Sequence, residues 1–185
     1  MSINRRGELP AHLLGMFPGG REEIRARARR EWLRRESPPE EIRDGVLLLS
    51  ERQLKCELPV PLSGRVDQVY ACGPDRILVP VDTKRRGRAR VEAEDIVQLS
   101  VYATLLRNSL MNVEVANRGY VRWVGPREVV RYLPARLLDD AGVARIYFRW
   151  LDLMEGRATK VTFRPSNRNC RQCVGRSKCK RNVAG

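Results

Sequence analysis

The sequence has few histidines, a shortage of acidic residues and no long apolar run. No stretch approaches the roughly 18 apolar residues that a membrane-spanning helix needs, so we expect no membrane partner. The first 20 residues carry arginines and a short apolar stretch broken by proline and glycine, which does not indicate a secretory signal. The 185 residues lack internal repeats, and 42% of them are apolar, which predicts one folded domain.

Acidic residues are outnumbered, since 36 Lys and Arg against 22 Asp and Glu give a net charge of +14. So strong a charge on a small protein favours a polyanionic partner, with nucleic acid ahead of an anionic membrane surface. Many arginines lie between Arg21 and Glu36, where the pattern is helical and ends at Ser37-Pro38-Pro39. These arginines face either solvent or DNA, and the pattern leaves both open.

The five cysteines do not indicate a disulfide framework. Their number is odd and three lie in the last 16 residues, which suits a reducing, cytoplasmic location and a metal site. Cys170, Cys173 and Cys179 form a C-x₂-C-x₅-C pattern, and thiolates this close usually share a metal. The spacing allows either an iron–sulfur cluster or a tetrahedral zinc ion, and unliganded thiols are the third alternative.

Apolar periodicity predicts an α/β domain built on a mixed sheet. Helical patterns cover residues 21–36, 91–111 and 137–154. Strand patterns cover residues 46–50, 54–62, 65–71, 76–84, 113–123 and 129–133.

Two aspartates are predicted to face each other in a β-hairpin. With a turn centred between Pro74 and Asp75, residues whose numbers sum to 149 are neighbours, which pairs Asp67 with Asp82 at about 4.5–5.5 Å between β-carbons. Lys84 is two residues beyond Asp82 and projects to the same face. Facing carboxylates favour a divalent cation between them, and Mg²⁺ or Mn²⁺ prefers such oxygens. Two solvent-exposed aspartates are the alternative.

Three short motifs follow one another along the chain: GRVD at 64–67, VPVDTK at 79–84 and QLSVY at 98–102. They resemble the PD-(D/E)XK nuclease superfamily, specifically its RecB-like branch, which has a GRxD strand, a (D/E)xK strand and a QxxxY helix. The resemblance implies a restriction-endonuclease-like fold and a Mg²⁺ or Mn²⁺ site at Asp67, Asp82 and the carbonyl of Thr83. It implies catalytic roles for Asp67, Asp82, Lys84, Gln98 and Tyr102.

The terminal cysteines extend this resemblance. RecB-like nucleases of the iron–sulfur type end in C-x₂-C-x₅-C, and an upstream cysteine completes a [4Fe–4S] cluster. The resemblance therefore implies cluster ligands at Cys170, Cys173 and Cys179, with Cys56 as the fourth ligand and Cys72 as its alternative. The small size and residues 48–52 are most similar to the CRISPR-associated exonucleases.

The scarcity of histidine is a departure from that family, which often has a metal-binding histidine on a helix before the core. The single histidine, His12, lies in an irregular leader, and we do not expect it to bind the metal. Glu22, Glu23 or Glu31 could replace it. Without a replacement, we expect weak or absent activity. The missing histidine favours the alternative, a non-catalytic DNA-binding or adaptor protein that keeps the nuclease fold, whereas the intact D…D-x-K pattern favours the enzyme.

Together, the charge and the resemblance imply a cytoplasmic deoxyribonuclease. The resemblance implies an exonuclease on single-stranded ends or overhangs, with a CRISPR integrase as partner. We expect a single domain with a basic arm and helix (1–45), a nuclease core (46–163) and a cysteine-rich tail (164–185). A zinc-ribbon-like module would explain the tail alone. Salt-sensitive contacts to the DNA backbone are expected from the basic tail residues Arg168, Arg171, Arg176 and Lys178.

Overall fold

The computed structural model describes residues 21–157, and residues 1–20 and 158–185 lie outside that range. Within that range the chain divides after Arg145 into two compact units, and all five strands belong to the first. Between residues 21 and 157, none of the helices is long and apolar enough to cross a bilayer. The elements in chain order are α1 (Arg21–Arg35), α2 (Glu40–Asp44), β1 (Val46–Cys56), β2 (Leu62–Cys72), β3 (Ile77–Arg85), α3 (Ala93–Ser109), β4 (Arg118–Val124), a short 3-10 turn (Pro126–Glu128), β5 (Val130–Arg136) and α4 (Asp140–Met154).

The five strands form one mixed sheet in the order β1-β2-β3-β4-β5. Strands β3 and β4 are parallel and are joined by α3, whereas the other neighbouring strands are antiparallel. This arrangement confirms the predicted mixed sheet flanked by helices and is consistent with a restriction-endonuclease-like fold. The predicted cysteine-rich segment lies outside the described residues, and the predicted single-domain organisation stays a prediction.

Alternate residues of β3 enter two different hydrophobic clusters. Leu78 packs with Leu99 and Leu106 of α3 on one face of the sheet. Val79 packs on the other face with Ile42 of α2 and with Trp32 of α1 as a partly buried neighbour. Because successive strand residues point to opposite faces, β3 is covered on both sides and is apolar along most of its length.

The prediction of two short strands at 46–50 and 54–62 was wrong. Strand β1 runs unbroken from Val46 to Cys56, and β2 already begins at Leu62. The polar triplet at 51–53 looks like a break in the sequence, but β1 is an edge strand that pairs only with β2. An edge strand tolerates polar side chains because water reaches it. Helix α2, with five residues, was also missed, since so short a helix has no clear periodicity.

Candidate functional site

The β2–β3 hairpin has the predicted register. From the pair Gln68–Val81 toward the turn, the numbers of paired residues sum to 149. The ladder ends at this pair, one residue short of Asp67 and Asp82. At that point the backbone N–H of Thr83 donates a 2.9 Å hydrogen bond to Asp67 Oδ2. The Asp67 side chain therefore continues the contact between the strands after the backbone pairing stops.

An open cleft with a volume of about 410 Å³ lies where β2 separates from β3. Each side chain that lines it carries a polar or charged group, so the cleft suits a charged ligand. The lining residues are Glu51, Arg65, Asp67, Asp82, Thr83, Tyr102 and Arg122.

Helix α3 brings two further predicted residues to Asp82. Gln98 and Tyr102 are one helical turn apart, and Gln98 Nε2 lies 3.1 Å from Asp82 Oδ1 and 2.7 Å from the Tyr102 hydroxyl. Lys84 Nζ donates to Gln98 Oε1 at 2.7 Å and forms an ion pair with Asp82 Oδ2 at 2.9 Å. Gln98 thus contacts the carboxylate, the ammonium and the phenol at once, and fixes their relative positions.

The position of Gln98 depends on how α3 begins. Glu92 and Asp95 form a reciprocal capping box at the helix start, in which the Glu92 backbone N–H donates to Asp95 Oδ2 at 2.7 Å. Asp95 is fully buried and pairs with Arg86, which directly follows β3. This pair ties the first turn of α3 to the end of β3, so Gln98 and Lys84 are held within reach of each other.

Burial perturbs the two most enclosed groups of the network. It raises the pKa of the Asp82 carboxyl above its usual value, although the nearby ammonium of Lys84 acts in the opposite direction. When a carboxyl has a higher pKa in the folded state than in the unfolded chain, its ionisation lowers the free energy of unfolding. The fold is therefore less stable at neutral pH than at pH values below the unfolded pKa. Burial also raises the pKa of Tyr102 to about 12, so its hydroxyl keeps its proton at neutral pH.

The chemistry of Asp82 fits a cation. Its side chain is only 6% exposed, and Oδ2 accepts no hydrogen bond from residues 21–157, although Lys84 Nζ lies 2.9 Å away. The contact is therefore an ion pair whose hydrogen-bond geometry is poor. Carboxylate oxygens suit Mg²⁺ or Mn²⁺, which also retain several waters when few protein ligands are present. Within residues 21–157, no three His, Cys, Asp or Glu side chains converge on one point.

A family model described as the PD-(D/E)XK nuclease superfamily matches residues 5–180, nearly the whole chain. The chain belongs to this superfamily. Superfamily members are nucleases, and they generally use divalent metals such as Mg²⁺. The resemblance carried by the three motifs is thereby confirmed at the level of the superfamily.

Other comparisons add little. No curated protein matches the chain, whereas 21 chains of solved structures do. One of these, the crystal structure of SSO0001, is 17% identical, with a TM-score of 0.43, and the alignment covers 76% of this chain and 59% of that chain. The chain thus spans 59% of the length of SSO0001, and a likeness at this level gives no information on activity or partners.

Three residues of the PD-(D/E)XK cleft were not predicted. Glu51 has a left-handed backbone with φ of 52°, and its neighbours Ser50 and Arg52 pair with residues on either side of Asp67. Arg65 belongs to the GRVD motif, but no role was assigned to it. Arg122 pairs with the buried carboxylate of Glu36, 86 positions away. No local pattern indicated the place of Glu51 in the cleft or the pairing of Arg122, because each depends on how distant segments meet.

Several predicted residues remain untested in this PD-(D/E)XK chain. Burial raises the pKa of the free thiols Cys56 and Cys72, that of Cys72 to about 11. Glu31 forms ion pairs with Arg34 and Arg35 of its own helix, and its replacement of the family histidine stays a prediction. The residues that lie outside the described side chains are His12, Glu22, Glu23, Arg168, Cys170, Arg171, Cys173, Arg176, Lys178 and Cys179.

Proposed function

We propose that this PD-(D/E)XK protein is a RecB-like deoxyribonuclease that hydrolyses phosphodiester bonds at single-stranded ends or overhangs. The observation that carries the proposal is the network in which Lys84, Gln98 and Tyr102 surround the buried carboxylate of Asp82, beside a cleft that Asp67 also lines. A carboxylate, an amine and an amide held together beside an open polar cleft have a ready use in hydrolysis.

Each residue of the network has a distinct role in the proposed mechanism. Asp67 and Asp82, with the carbonyl of Thr83, would hold Mg²⁺ or Mn²⁺. When bound, the cation supplies an activated water and neutralises charge that develops on the phosphate. Lys84 orients or deprotonates that water, or stabilises the negative charge of the transition state.

Gln98 and Tyr102 act as positioning groups. Gln98 Oε1 accepts from Lys84 while Gln98 Nε2 donates to Asp82, so rotation of either partner would break a hydrogen bond. The Tyr102 hydroxyl lies 3.4 Å from Asp82 Oδ1 and is too weak an acid to compete for a base at neutral pH. Both residues thereby hold the Asp82 carboxylate and the Lys84 ammonium in fixed positions.

DNA is the proposed substrate because of the net charge of +14, which favours a phosphate backbone. The resemblance to the CRISPR-associated exonucleases supports an exonuclease mode and a CRISPR integrase as partner, and both belong to this proposal. The tail residues Arg168, Arg171, Arg176 and Lys178 are proposed to strengthen binding to the backbone.

The proposal includes a [4Fe–4S] cluster at Cys170, Cys173, Cys179 and Cys56, with zinc as the alternative metal. We expect protein purified without oxygen to contain iron in excess of zinc and to be brown, because thiolate-bound clusters absorb visible light. Elemental analysis together with the visible spectrum tests this. If the protein contains stoichiometric zinc and no iron, the cysteines bind zinc and the iron–sulfur assignment is wrong. If Cys56→Ala leaves the spectrum unchanged, Cys56 is not a ligand.

The experiment that tests the nuclease function compares labelled single-stranded DNA, double-stranded DNA and RNA, each incubated with the protein and with Mn²⁺, Mg²⁺ or no added metal. We expect cleavage of single-stranded DNA with Mn²⁺ and none without added metal, since the two aspartates need a cation to act. Products that shorten from one end indicate an exonuclease. Equal cleavage without metal would contradict the proposal.

A non-catalytic adaptor that binds DNA is the second candidate function. It is favoured by the lack of three converging metal ligands within residues 21–157, where the Lys84 ammonium is the charge nearest to Asp82. DNA binding without cleavage across a full series of divalent metals would select this function over the nuclease.

A further inference from the structure

Among the described residues, two arginines line the cleft, Arg65 and Arg122, and they differ in whether a carboxylate pairs with them. Arg122 pairs with the buried carboxylate of Glu36, so its charge is already compensated inside the protein. Two arginines at the end of β3 and just after it are also paired, Arg85 with Glu128 and Arg86 with Asp95.

Arg65 is different. It lines the cleft together with Asp67 and Asp82 and is exposed to solvent. Its side chain has no hydrogen bond, ion pair or ring contact with any other described residue. Three carboxylates line the same cleft, those of Glu51, Asp67 and Asp82, yet none of them pairs with Arg65.

An unpaired guanidinium beside carboxylates suits an anion that enters from outside. The planar fork of arginine binds phosphate with two parallel hydrogen bonds, which gives both charge and orientation. Arg65 is two residues from Asp67 on β2, a separation of about 7 Å along the strand. A nucleic-acid strand with one phosphate at the aspartates would therefore place a neighbouring phosphate within reach of this long side chain.

We propose that Arg65 binds a backbone phosphate next to the one that is cleaved and so sets the position of the DNA strand in the cleft. This inference rests on the proposed nuclease function, because it takes a DNA strand as the ligand of the cleft. Arg65 is then a contact to substrate that carries no sequence information, since phosphates are common to every sequence.

The first test measures the affinity of the full-length protein for labelled single-stranded DNA at several salt concentrations, with no divalent metal added. Loss of one phosphate contact lowers the slope of log affinity against log salt by about 0.7 for single strands. We expect this reduction in Arg65→Gln. The matched control is Arg76→Gln, because Arg76 is an exposed arginine in the turn at the other end of the same hairpin, and it should leave the slope unchanged.

The second test locates the contact with DNA in which single phosphates are replaced, one at a time, by uncharged methylphosphonate. In the wild type, we expect one replacement next to the cleavage position to weaken binding, and the same replacement should have no further effect in Arg65→Gln. Arg65→Lys should recover the salt slope but only part of the affinity, because lysine keeps the charge and lacks the fork. A structural role would not respond to the position of a methylphosphonate.

The outcomes separate this inference from the proposed function. Equal salt slopes in wild type and Arg65→Gln, or equal losses in Arg65→Gln and Arg76→Gln, would overturn the role of Arg65 even if the wild type cleaves DNA. Binding without cleavage would overturn the nuclease and still allow the phosphate contact to be measured. No binding of DNA by the wild type would overturn both.

Discussion

Replacing Lys84 by alanine is expected to reduce DNA cleavage by about 10²–10⁴-fold while leaving metal binding intact, because one positioned acid–base group typically contributes that much. The ammonium lies 2.9 Å from Asp82 Oδ2, where a bound cation would repel it. Lys84→Ala should therefore bind Mn²⁺ at least as tightly as the wild type. Cleavage rates on single-stranded DNA and equilibrium titrations with Mn²⁺ measure the two effects separately.

Asp82→Ala is the partner of that experiment. It should lose cleavage to a similar extent but should also lose Mn²⁺ affinity, since it removes a carboxylate of the proposed site. Lys55→Ala is the matched control, because Lys55 is an exposed lysine on β1 outside the cleft. If wild type and Lys84→Ala degrade DNA at equal rates, the activity comes from a contaminant or from another site.

The parts of the site that the sequence predicted depend on short-range geometry. The hairpin register followed from the position of its turn, because each strand residue has one partner once the turn is placed. The pairing of Gln98 with Tyr102 followed from helical spacing. The superfamily followed from three motifs, each of which lies within a single strand or helix.

The parts that could not be predicted depend on how distant elements meet. The β2–β3 ladder stops before Asp67, and the Asp67 side chain accepts a hydrogen bond from the backbone N–H of Thr83. No residue pattern indicates this hydrogen bond. Glu51 adopts a left-handed backbone within a strand, a conformation that glutamate seldom takes. The end of α1 is held to the sheet by Glu36, whose partners come from three elements.

The buried carboxylate of Glu36 is expected to contribute strongly to the stability of the fold. Its carboxylate is buried and accepts hydrogen bonds from Arg122 Nε at 2.8 Å, the Tyr132 hydroxyl at 2.8 Å and Trp32 Nε1 at 3.1 Å. Burial alone would lower the pKa of Arg122, but the hydrogen bonds and charge of Glu36 raise it overall. The pair is therefore a compensated buried charge that joins α1 to β4.

We expect Glu36→Ala to lower the free energy of unfolding by about 3–5 kcal/mol, because it leaves the buried guanidinium of Arg122 without a counter-charge. Urea unfolding of the full chain, followed by circular dichroism, measures the change. Glu31→Ala is the control, since the pairs that Glu31 forms with Arg34 and Arg35 are exposed. Such surface pairs contribute about 0–1 kcal/mol.

A double variant distinguishes an uncompensated charge from simple loss of packing. Glu36→Leu combined with Arg122→Met removes both charges and keeps apolar volume, and replacing a buried ion pair in this way is often neutral. We therefore expect the double variant to recover most of the stability that Glu36→Ala loses, with a coupling energy that a double-mutant cycle gives directly. If the double variant is as unstable as Glu36→Ala, the carboxylate acts through its contacts with Trp32 and Tyr132 rather than through Arg122. Recovery would also leave the cleft without the Arg122 charge, so DNA affinity in the same variant would show whether that guanidinium contributes to binding.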